Sequence, residues 1–238
     1  MNLFGQDQCI ICNQRIQPEV GWIALFSREK ECLLCPSCEG RFEHITGEQC
    51  RICSRPFLQL DEKFQHGDLC HDCFRWEEDS VWKELLERNI SLFCYNDFLK
   101  EVIAKFKYRG DYVIAKIFAQ WLKVEISNME GDLYVPIPLS EERQYERGFN
   151  QAAALLNESG LPSTEILTRT HTEKQSKKSR TERIHLPQVF QLKPNTQLNG
   201  KSIILIDDIY TTGSTLRHAA KLLKSAGAQT VRSVTIAR

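Results

Sequence analysis

Residues 203–215 read IILIDDIYTTGST, and this stretch decides the fold of the second half of the chain. Four consecutive apolar residues, 203–206, are typical of a strand that is buried on both faces of a parallel sheet. Two aspartates follow, then a turn rich in hydroxyl groups around Gly213, and then a helical pattern that ends at Gly227. The stretch therefore predicts a strand, a loop at its carboxyl end and the start of a helix.

The residue types in this loop suit a sugar phosphate. Parallel sheets bind ligands beyond the carboxyl ends of their strands, and two adjacent carboxylates there need partners such as ribose hydroxyls or a Mg²⁺ ion. The hydroxyl-rich residues lie at a helix N-terminus, which favours a phosphate, and a glycine lets the backbone approach it. We therefore expect a site for phosphoribosyl pyrophosphate with Mg²⁺. Its residues would be Asp207, Asp208, Thr211, Thr212, Gly213, Ser214 and Thr215.

The residues around this stretch alternate between helical and strand-like patterns. From residue 90 to residue 238 this alternation predicts an α/β domain with a parallel sheet. Strands are expected at residues 132–137, 165–168, 189–192, 202–206 and 229–236, and helices at residues 96–106, 112–126, 140–159 and 214–226.

A second distinctive run, VPIPLSEERQYERGFNQ, occupies residues 135–151. Its two prolines predict a rigid turn after a strand, as a pyrophosphate site would use. Arg143, Arg147 and Asn150 are spaced by four and three residues on the expected helix, so they can share one face, and Gly148 inside that helix indicates close contact with a neighbour. We add Arg143 and Arg147 to the ligand site. The alternative is an amphipathic helix whose arginines are solvated.

A third run, RTHTEKQSKKSRTER at residues 169–183, is basic. It contains six Lys or Arg and two Glu, which gives a local net charge of +4. Such a loop can close over a pyrophosphate or meet a nucleic-acid backbone. The alternative is a solvated surface loop.

The cysteines are concentrated in the first third of the chain, where residues 1–80 form a cysteine-rich module. Nine of the ten cysteines lie within residues 9–73, and eight of them form CxxC pairs. Pairs of CxxC units are typical of structural zinc sites with four thiolates, so we expect one or two zinc ions. The spacing permits sequential or cross-braced pairing, and Cys32 or nearby histidines (His44, His66 and His71) could substitute. The expected ligands are Cys9, Cys12, Cys35, Cys38, Cys50, Cys53, Cys70 and Cys73.

Between the module and the α/β domain, the boundary is expected near residues 75–90. The stretch WEEDSVWKELLERN, residues 76–89, is charged and has helical spacing, so it predicts a linker helix.

The totals exclude several classes of protein. The 238 residues suit one large domain or two smaller ones, and a hydrophobic fraction of 42% is too high for a disordered chain. Lys plus Arg and Asp plus Glu each number 31, which argues against a protein that coats nucleic acid with its whole surface. No apolar run approaches the ~20 residues that span a bilayer, and MNLFGQDQ does not resemble a signal peptide. We therefore expect a cytoplasmic protein that is not an integral membrane protein.

The stretch at residues 203–215 resembles the phosphoribosyl-pyrophosphate motif of type I phosphoribosyltransferases. Together with the CxxC pairs, FKYRGD at residues 106–111, VPIPLS with RGFNQ, and the basic run, it resembles the ComF family of natural-competence proteins over nearly the whole chain. This resemblance implies an N-terminal zinc-ribbon module followed by a type I phosphoribosyltransferase-like parallel-sheet domain. It also implies that Asp207 and Asp208 hold the ribose hydroxyls and that residues 211–215 hold the 5-phosphate.

The same resemblance implies a function in taking up single-stranded DNA during transformation. The implied partners are single-stranded DNA, the competence helicase, recombination loading factors and phosphoribosyl pyrophosphate. The alternative is an active phosphoribosyltransferase that transfers a ribose 5-phosphate to a nucleobase, although no segment of the sequence indicates how a base would be recognised. A pure scaffold is a third reading, but it would not require the aspartates and the loop that follows them.

Overall fold

The computed structural model describes residues 8–16, 32–108, 110–169 and 190–238. The helices are α1 (Pro36–Glu39), α2 (His71–Glu78), α3 (Asp97–Tyr108), α4 (Ile114–Ser127), α5 (Glu141–Arg147), α6 (Gln151–Ser159) and α7 (Ser214–Ser225). The strands are β1 (Gln65–His66), β2 (Leu69–Cys70), β3 (Arg88–Phe93), β4 (Leu133–Pro136), β5 (Leu167–Arg169), β6 (Phe190–Leu192), β7 (Ser202–Ile209) and β8 (Thr230–Ala237). Short 3₁₀ helices occupy Phe57–Gln59 and Glu62–Phe64.

A parallel sheet lies at the centre of the described chain. Its strands are arranged in the order β3, β8, β7, β4, and each neighbouring pair runs parallel. Strand β7 therefore has a neighbour on each side, and its residues 203–206 are fully buried. Burial on both faces is the physical reason why these four residues are all apolar.

The two faces of the sheet are covered by different parts of the chain. Because side chains alternate along a strand, Ile204 and Ile206 belong to one hydrophobic core, and Ile203 and Leu205 belong to the other. Residues of α3, α4 and α6 complete the first core, and residues of α7 complete the second. Cysteines from the N-terminal region take part in both cores. The division into residues 1–80 and 90–238 therefore stays a prediction.

The single helix expected over residues 140–159 is wrong, because the structure has two helices there. Gly148, with a φ of 77°, ends α5 in the left-handed conformation that glycine adopts readily. The side chain of Asn150 then caps α6 by accepting hydrogen bonds from two amides of its first turn. Arg147 and Asn150 consequently do not share a helical face, and a Cβ at residue 148 would meet no atom within 4 Å.

The linker helix expected over residues 76–89 is also wrong. Only its first three residues are helical, in α2, and β3 begins at Arg88. The chain turns between them, where the Asp79 side chain accepts a hydrogen bond from the amide of Val81 (2.9 Å) and Glu84 has a φ of 59°. Local hydrogen bonding by an aspartate competes with helix formation, and the short strand that follows has no periodic pattern of its own.

The other helices and strands expected between residues 96 and 236 form within a few residues of their expected positions, whereas the sheet strand β3 was not expected. Asn96 accepts a hydrogen bond from the amide of Leu99 (2.9 Å) at the start of α3, as a helix cap does. Strands β5 and β6 form where they are expected, but they pair with each other antiparallel, outside the central sheet. Arg109 and the basic run after Arg169 lie outside the described residues. No helix within the described ranges is both long enough and apolar enough to cross a membrane.

Candidate ligand site and metal centres

The aspartate pair, Asp207 and Asp208, lies near the carboxyl end of β7. Lys107 Nζ of α3 lies 2.8 Å from Asp208 Oδ2, and Arg147 Nη1 of α5 lies 3.9 Å from the same oxygen. Between 8% and 14% of each of these three side chains is exposed, so the charges interact in a partly desolvated environment. The structure therefore supplies the cationic partners that two adjacent carboxylates require.

Arg147 has hydrogen-bonding capacity left over. Its Nη1 donates to Gln151 Oε1 (2.9 Å), whereas its buried Nε makes no hydrogen bond within the described part of the chain. Buried polar groups are nearly always satisfied, and a guanidinium with a spare N–H suits an anionic ligand. Arg143, the other arginine expected in the site, lies exposed on α5.

Arg169, at the end of β5, adds a cation near the aspartate pair. Burial lowers the pKa of Arg169, as do the charges of Arg143 and Arg147, while the charge of Asp207 raises it. Arg143 and Arg147 are therefore close enough to Arg169 to repel it. A cluster of this kind is stabilised by an anion such as a pyrophosphate.

Burial, and then the charge of Asp208, raises the pKa of Asp207 to about 7. An aspartate in an unfolded chain has a pKa of about 4, so between about pH 4 and about pH 7 the folded protein retains a proton that the unfolded chain has lost. We expect the free energy of unfolding of the ligand-free protein to fall as the pH rises through this interval. Urea unfolding at several pH values should show a smaller fall for Asp207→Asn, whereas the exposed control Asp61→Asn should keep the wild-type slope. Equal slopes for wild type and Asp207→Asn would contradict this prediction.

The phosphate loop, residues 211–215, connects β7 to α7. Before it, the amide of the buried Tyr210 donates a hydrogen bond to the carbonyl of Ala237 (2.9 Å), which ties the loop to the neighbouring strand. Gly213 has a φ of 79° and precedes the first residue of α7. Within the described chain, the amides of Thr211, Thr212 and Gly213 make no hydrogen bond. The loop therefore presents free amides beside a helix N-terminus, as a phosphate site requires.

We expect Gly213→Ala to lower the free energy of unfolding by about 2 kcal/mol. The substitution is strained for two reasons: the φ is positive, and the new Cβ would lie 2.1 Å from the hydroxyl oxygen of Tyr210. Gly200→Ala is the matched control, because its φ is 76° but a Cβ there would meet no atom within 4 Å. Urea unfolding should show a larger loss at residue 213 than at residue 200. Equal losses of unfolding free energy in Gly213→Ala and Gly200→Ala would contradict the prediction and would mean that the Tyr210 side chain moves away from the new Cβ at little cost.

The proline turn lies against β7, as a rigid turn at this edge should. The amide of Ile137 donates to the carbonyl of Ile206 (2.9 Å), and Asn150 Nδ2 donates to the carbonyl of Ile137 (3.0 Å). Asn150 thus joins the turn to the start of α6. Its side chain is engaged in structure, which leaves Arg147 as the residue of this run that reaches the aspartate pair.

Two groups of four cysteines meet in the described part of the chain. The first cysteine group is Cys9, Cys12, Cys35 and Cys38, and the second cysteine group is Cys50, Cys53, Cys70 and Cys73. In each group the four sulfur atoms lie within 4.8 Å of one another. This grouping follows the sequential pairing of the CxxC units. Cys32, His44, His66 and His71 belong to neither group.

The donor sets fit zinc. Four thiolates around one point match the closed tetrahedral coordination of structural zinc sites, which leaves no position for a reacting water. In addition, Arg238 Nε donates a hydrogen bond to Cys53 Sγ (3.3 Å), and such N–H donors stabilise the thiolate form that a metal needs. The cysteines of the first group would hold one zinc ion and those of the second group another, and bound zinc would stabilise the fold.

Several residues of the site were not identified as site residues from the sequence. In the sequence, Lys107 is noted only as part of FKYRGD, and nothing local indicates that it reaches Asp208. Tyr108 and Tyr95 are exposed aromatic residues near the aspartate pair, and the sequence assigns neither to the site, although Tyr108 lies within FKYRGD. Arg238 and Trp76 contact the phosphate loop from distant parts of the chain. The only available signal would be charge or aromatic character, which is too common to select a residue.

The C-terminal part of the chain matches a known protein family. Residues 146–238, which include Arg147, the aspartate pair and the phosphate loop, match the phosphoribosyl transferase domain family. Together with the parallel sheet, this match confirms the predicted phosphoribosyltransferase-like fold.

Relatives that match most of the chain are more informative about function. The chain is 40% identical over 234 residues to competence protein ComFC of Bacillus subtilis (strain 168), an alignment that covers 97% of this chain and 94% of that protein. It is 32% identical over 232 residues to competence protein ComFC of Streptococcus pneumoniae (strain ATCC BAA-255 / R6), with 97% and 100% covered. It is 27% identical over 206 residues to DNA utilization protein YhgH of Escherichia coli O157:H7, with 77% and 87% covered.

Proposed function

Because the chain belongs to the ComFC family of competence proteins, we propose that it takes part in the uptake of transforming single-stranded DNA and binds phosphoribosyl pyrophosphate with Mg²⁺. Two neighbouring features carry the proposal of ligand binding: Lys107 and Arg147 contact the aspartate pair, and the amides of the phosphate loop that follows make no hydrogen bond to the residues that the structure describes. In this proposal the aspartates accept hydrogen bonds from the ribose hydroxyls. The loop amides bind the 5-phosphate, and the cations, together with Mg²⁺, neutralise the pyrophosphate.

Calorimetric titration of the zinc-loaded full chain with phosphoribosyl pyrophosphate and Mg²⁺ tests the ligand part. We expect binding by the wild type and a loss of at least about tenfold in affinity when both Asp207 and Asp208 are changed to Asn, because each removes an ionic acceptor. Asp61→Asn is the control, since that aspartate is exposed and paired with Lys63. Absence of binding by the wild type would contradict the proposal.

Turnover distinguishes binding from transfer. An active phosphoribosyltransferase releases pyrophosphate when an acceptor base is present, and the cations beside the aspartate pair could stabilise that departing anion. Pyrophosphate release with one of the common nucleobases would support the alternative function of an enzyme. Binding without release from any of them would favour a ligand that positions or regulates the protein.

Exposed aromatic rings beside cations support the DNA part of the proposal. Tyr108 is 70% exposed, follows Lys107 in α3, and has its ring centre 5.7 Å from the guanidinium carbon of Arg147. Tyr95 is 43% exposed, and burial followed by the charges of Asp208 and Tyr108 raises its pKa, so it lies near both groups. Proteins that bind single strands without sequence preference combine basic grooves with such stacking rings.

Fluorescence anisotropy with a labelled oligothymidine at two salt concentrations tests this part. Backbone contacts by Lys and Arg predict weaker binding at the higher salt concentration, and loss of one stacked base predicts about tenfold weaker binding for Tyr108→Ala. Phe64→Ala is the control, because Phe64 is 42% exposed and packs against His71 in the cysteine-rich region. If Tyr108→Ala binds the oligothymidine with wild-type affinity and Phe64→Ala binds it more weakly, the proposed position of the DNA site is wrong. That result would indicate that DNA binds the cysteine-rich region.

Location and partners complete the proposal. We place the protein in the cytoplasm, where incoming single strands would be passed from the competence helicase to recombination loading factors. Co-purification of the full chain with each of these proteins, in the presence and absence of single-stranded DNA, tests these contacts. Association that persists after nuclease treatment would indicate a direct protein contact.

A further inference from the structure

The second cysteine group lies directly against the phosphate loop. Arg238 joins the two: its Nε donates to Cys53 Sγ (3.3 Å), and its Nη1 donates to the carbonyls of Thr211 (2.7 Å) and Tyr210 (3.3 Å). The side chain of Arg238 is only 6% exposed. One guanidinium therefore contacts a sulfur of the second cysteine group and the backbone of the loop at the same time, in a largely desolvated position where hydrogen bonds by charged groups are strongest.

A second contact comes from the helix that carries one of the cysteines. Trp76 lies one helical turn after Cys73 in α2, and its Nε1 donates to the carbonyl of Thr212 (2.9 Å). The hydroxyl of Tyr210 lies 3.9 Å from Cys73 Sγ. The second cysteine group thus meets the loop through an arginine, a tryptophan and a tyrosine, whose partners lie in different segments of the chain.

These contacts determine which way the loop amides point. The carbonyls of residues 210, 211 and 212 all accept hydrogen bonds from Arg238 or Trp76, so they are directed towards these two side chains. In a trans peptide the N–H of the following residue points opposite to the carbonyl. The amides of Thr211, Thr212 and Gly213 consequently point the other way, where within the described chain they make no hydrogen bond.

We propose that the second cysteine group, when it holds zinc, sets the conformation of the phosphate loop through Arg238 and Trp76, which act as positioning residues for a phosphate-bearing ligand. This inference rests on the proposed binding of phosphoribosyl pyrophosphate. It assigns the second zinc ion a role beyond folding, because a bound metal fixes Cys53 and Cys73 and thereby the groups that hold the three carbonyls. The first cysteine group shares its core with α3, α4 and α6, so the proposal gives it no such role.

Matched substitutions separate positioning from general stability. Arg238→Met keeps the length of the side chain and removes its donors, and Trp76→Phe keeps an aromatic ring and removes only the indole donor. Arg232→Met, which changes an arginine of β8 and breaks its ion pair with Glu87, is the control for the first. Trp121→Phe, at a ring packed against Phe42 and Phe93, is the control for the second.

The first measurement is calorimetric affinity for phosphoribosyl pyrophosphate with Mg²⁺, together with zinc content per chain. We expect affinity to fall about tenfold for Arg238→Met and about threefold for Trp76→Phe, the cost of losing charged or neutral hydrogen bonds, with zinc content unchanged. Both controls should bind like the wild type. If Arg238→Met loses zinc, its lower affinity for the ligand could result from the missing metal. The affinity of Trp76→Phe then tests the inference, because the indole N–H that it removes contacts no sulfur. Wild-type affinity in zinc-loaded Trp76→Phe and Arg238→Met would overturn the inference while leaving the proposed function intact.

The second measurement uses the reciprocity of coupled sites. If zinc in the second cysteine group raises affinity for the ligand, the ligand must raise the affinity of that group for zinc by the same factor. Equilibrium competition with a chromogenic chelator should therefore show that phosphoribosyl pyrophosphate with Mg²⁺ tightens one of two zinc sites in the wild type and tightens it less in Arg238→Met. Equal zinc affinities with and without bound ligand would overturn the inference. Failure of the wild type to bind the ligand at all would overturn both the inference and the proposed function.

Discussion

Cys70→Ser is expected to reduce the zinc content from two ions to one per chain and to lower the free energy of unfolding by more than about 5 kcal/mol. All four cysteines of the second cysteine group are at most 1% exposed, and they belong to the same core as Leu205 and α7. Binding of structural zinc contributes about 10–16 kcal/mol in small domains, so loss of one thiolate removes much of the stability of this face.

Two comparisons make this result specific. Cys32→Ser changes an exposed cysteine outside both groups and should retain two zinc ions and the wild-type free energy of unfolding. Cys38→Ser should also lose one zinc ion, from the first cysteine group. Zinc content by elemental analysis and urea unfolding measure both effects. Two bound ions in Cys70→Ser, or equal destabilisation by Cys32→Ser, would show that the second cysteine group does not bind a structural metal.

Glu77→Gln is expected to lower the free energy of unfolding by about 3 kcal/mol. Glu77 Oε1 lies 2.9 Å from Arg217 Nη1, and the arginine side chain is completely buried. The same guanidinium lies 5.3 Å from the ring centre of Trp76 and donates weakly to the carbonyl of Trp82 (3.5 Å). Removal of the carboxylate would leave the buried guanidinium without its counter-charge. Loss of one partner of a buried ion pair destabilises a protein more than replacement of both partners by apolar residues.

A double substitution and a surface pair test this explanation. Glu77→Gln combined with Arg217→Met should recover much of the loss, because no unpaired charge then remains in the core. Glu87→Gln should cost less than about 1 kcal/mol, since its partner Arg232 is 29% exposed and surface ion pairs contribute little. Urea unfolding of the four proteins measures these differences. Similar costs for Glu77→Gln and Glu87→Gln would mean that water reaches the buried arginine.

Local patterns were sufficient wherever an element depends on its own residues. The apolar run at residues 203–206 predicts β7, and the helical pattern from residue 96 predicts α3, because burial on both faces and helical periodicity are evident in a few adjacent residues. The turn between α2 and β3 was not predicted. There the charged residues 76–89 have helical spacing, but the side chain of Asp79 bonds to the backbone and the chain leaves the helix.

Most residues of the candidate site can be predicted from the sequence because they are adjacent along the chain, but Lys107 and Arg143 are exceptions. The aspartate pair and the phosphate loop lie in one stretch of sequence, so the order of their residue types is sufficient to predict a ligand site. The partners of Asp208 come from α3 and α5, and no local pattern joins Lys107 to that carboxylate. Helical spacing predicts that Arg143 and Arg147 lie side by side in the site. In the structure Arg147 is buried at the site, whereas Arg143 is exposed.

The sequence by itself determined a buried parallel strand, a hydroxyl-rich loop at its carboxyl end and four CxxC pairs. These features follow from short-range spacing, which sets burial, backbone conformation and the reach of a CxxC pair. Only the tertiary structure decided that the CxxC pairs group sequentially and that the second cysteine group lies against the phosphate loop. Arg238 and Cys53 are 185 positions apart, and their contact depends on how β8 and the cysteine-rich region pack around the loop after β7. Contacts at such separations arise from the folded core as a whole, so no local pattern contains them.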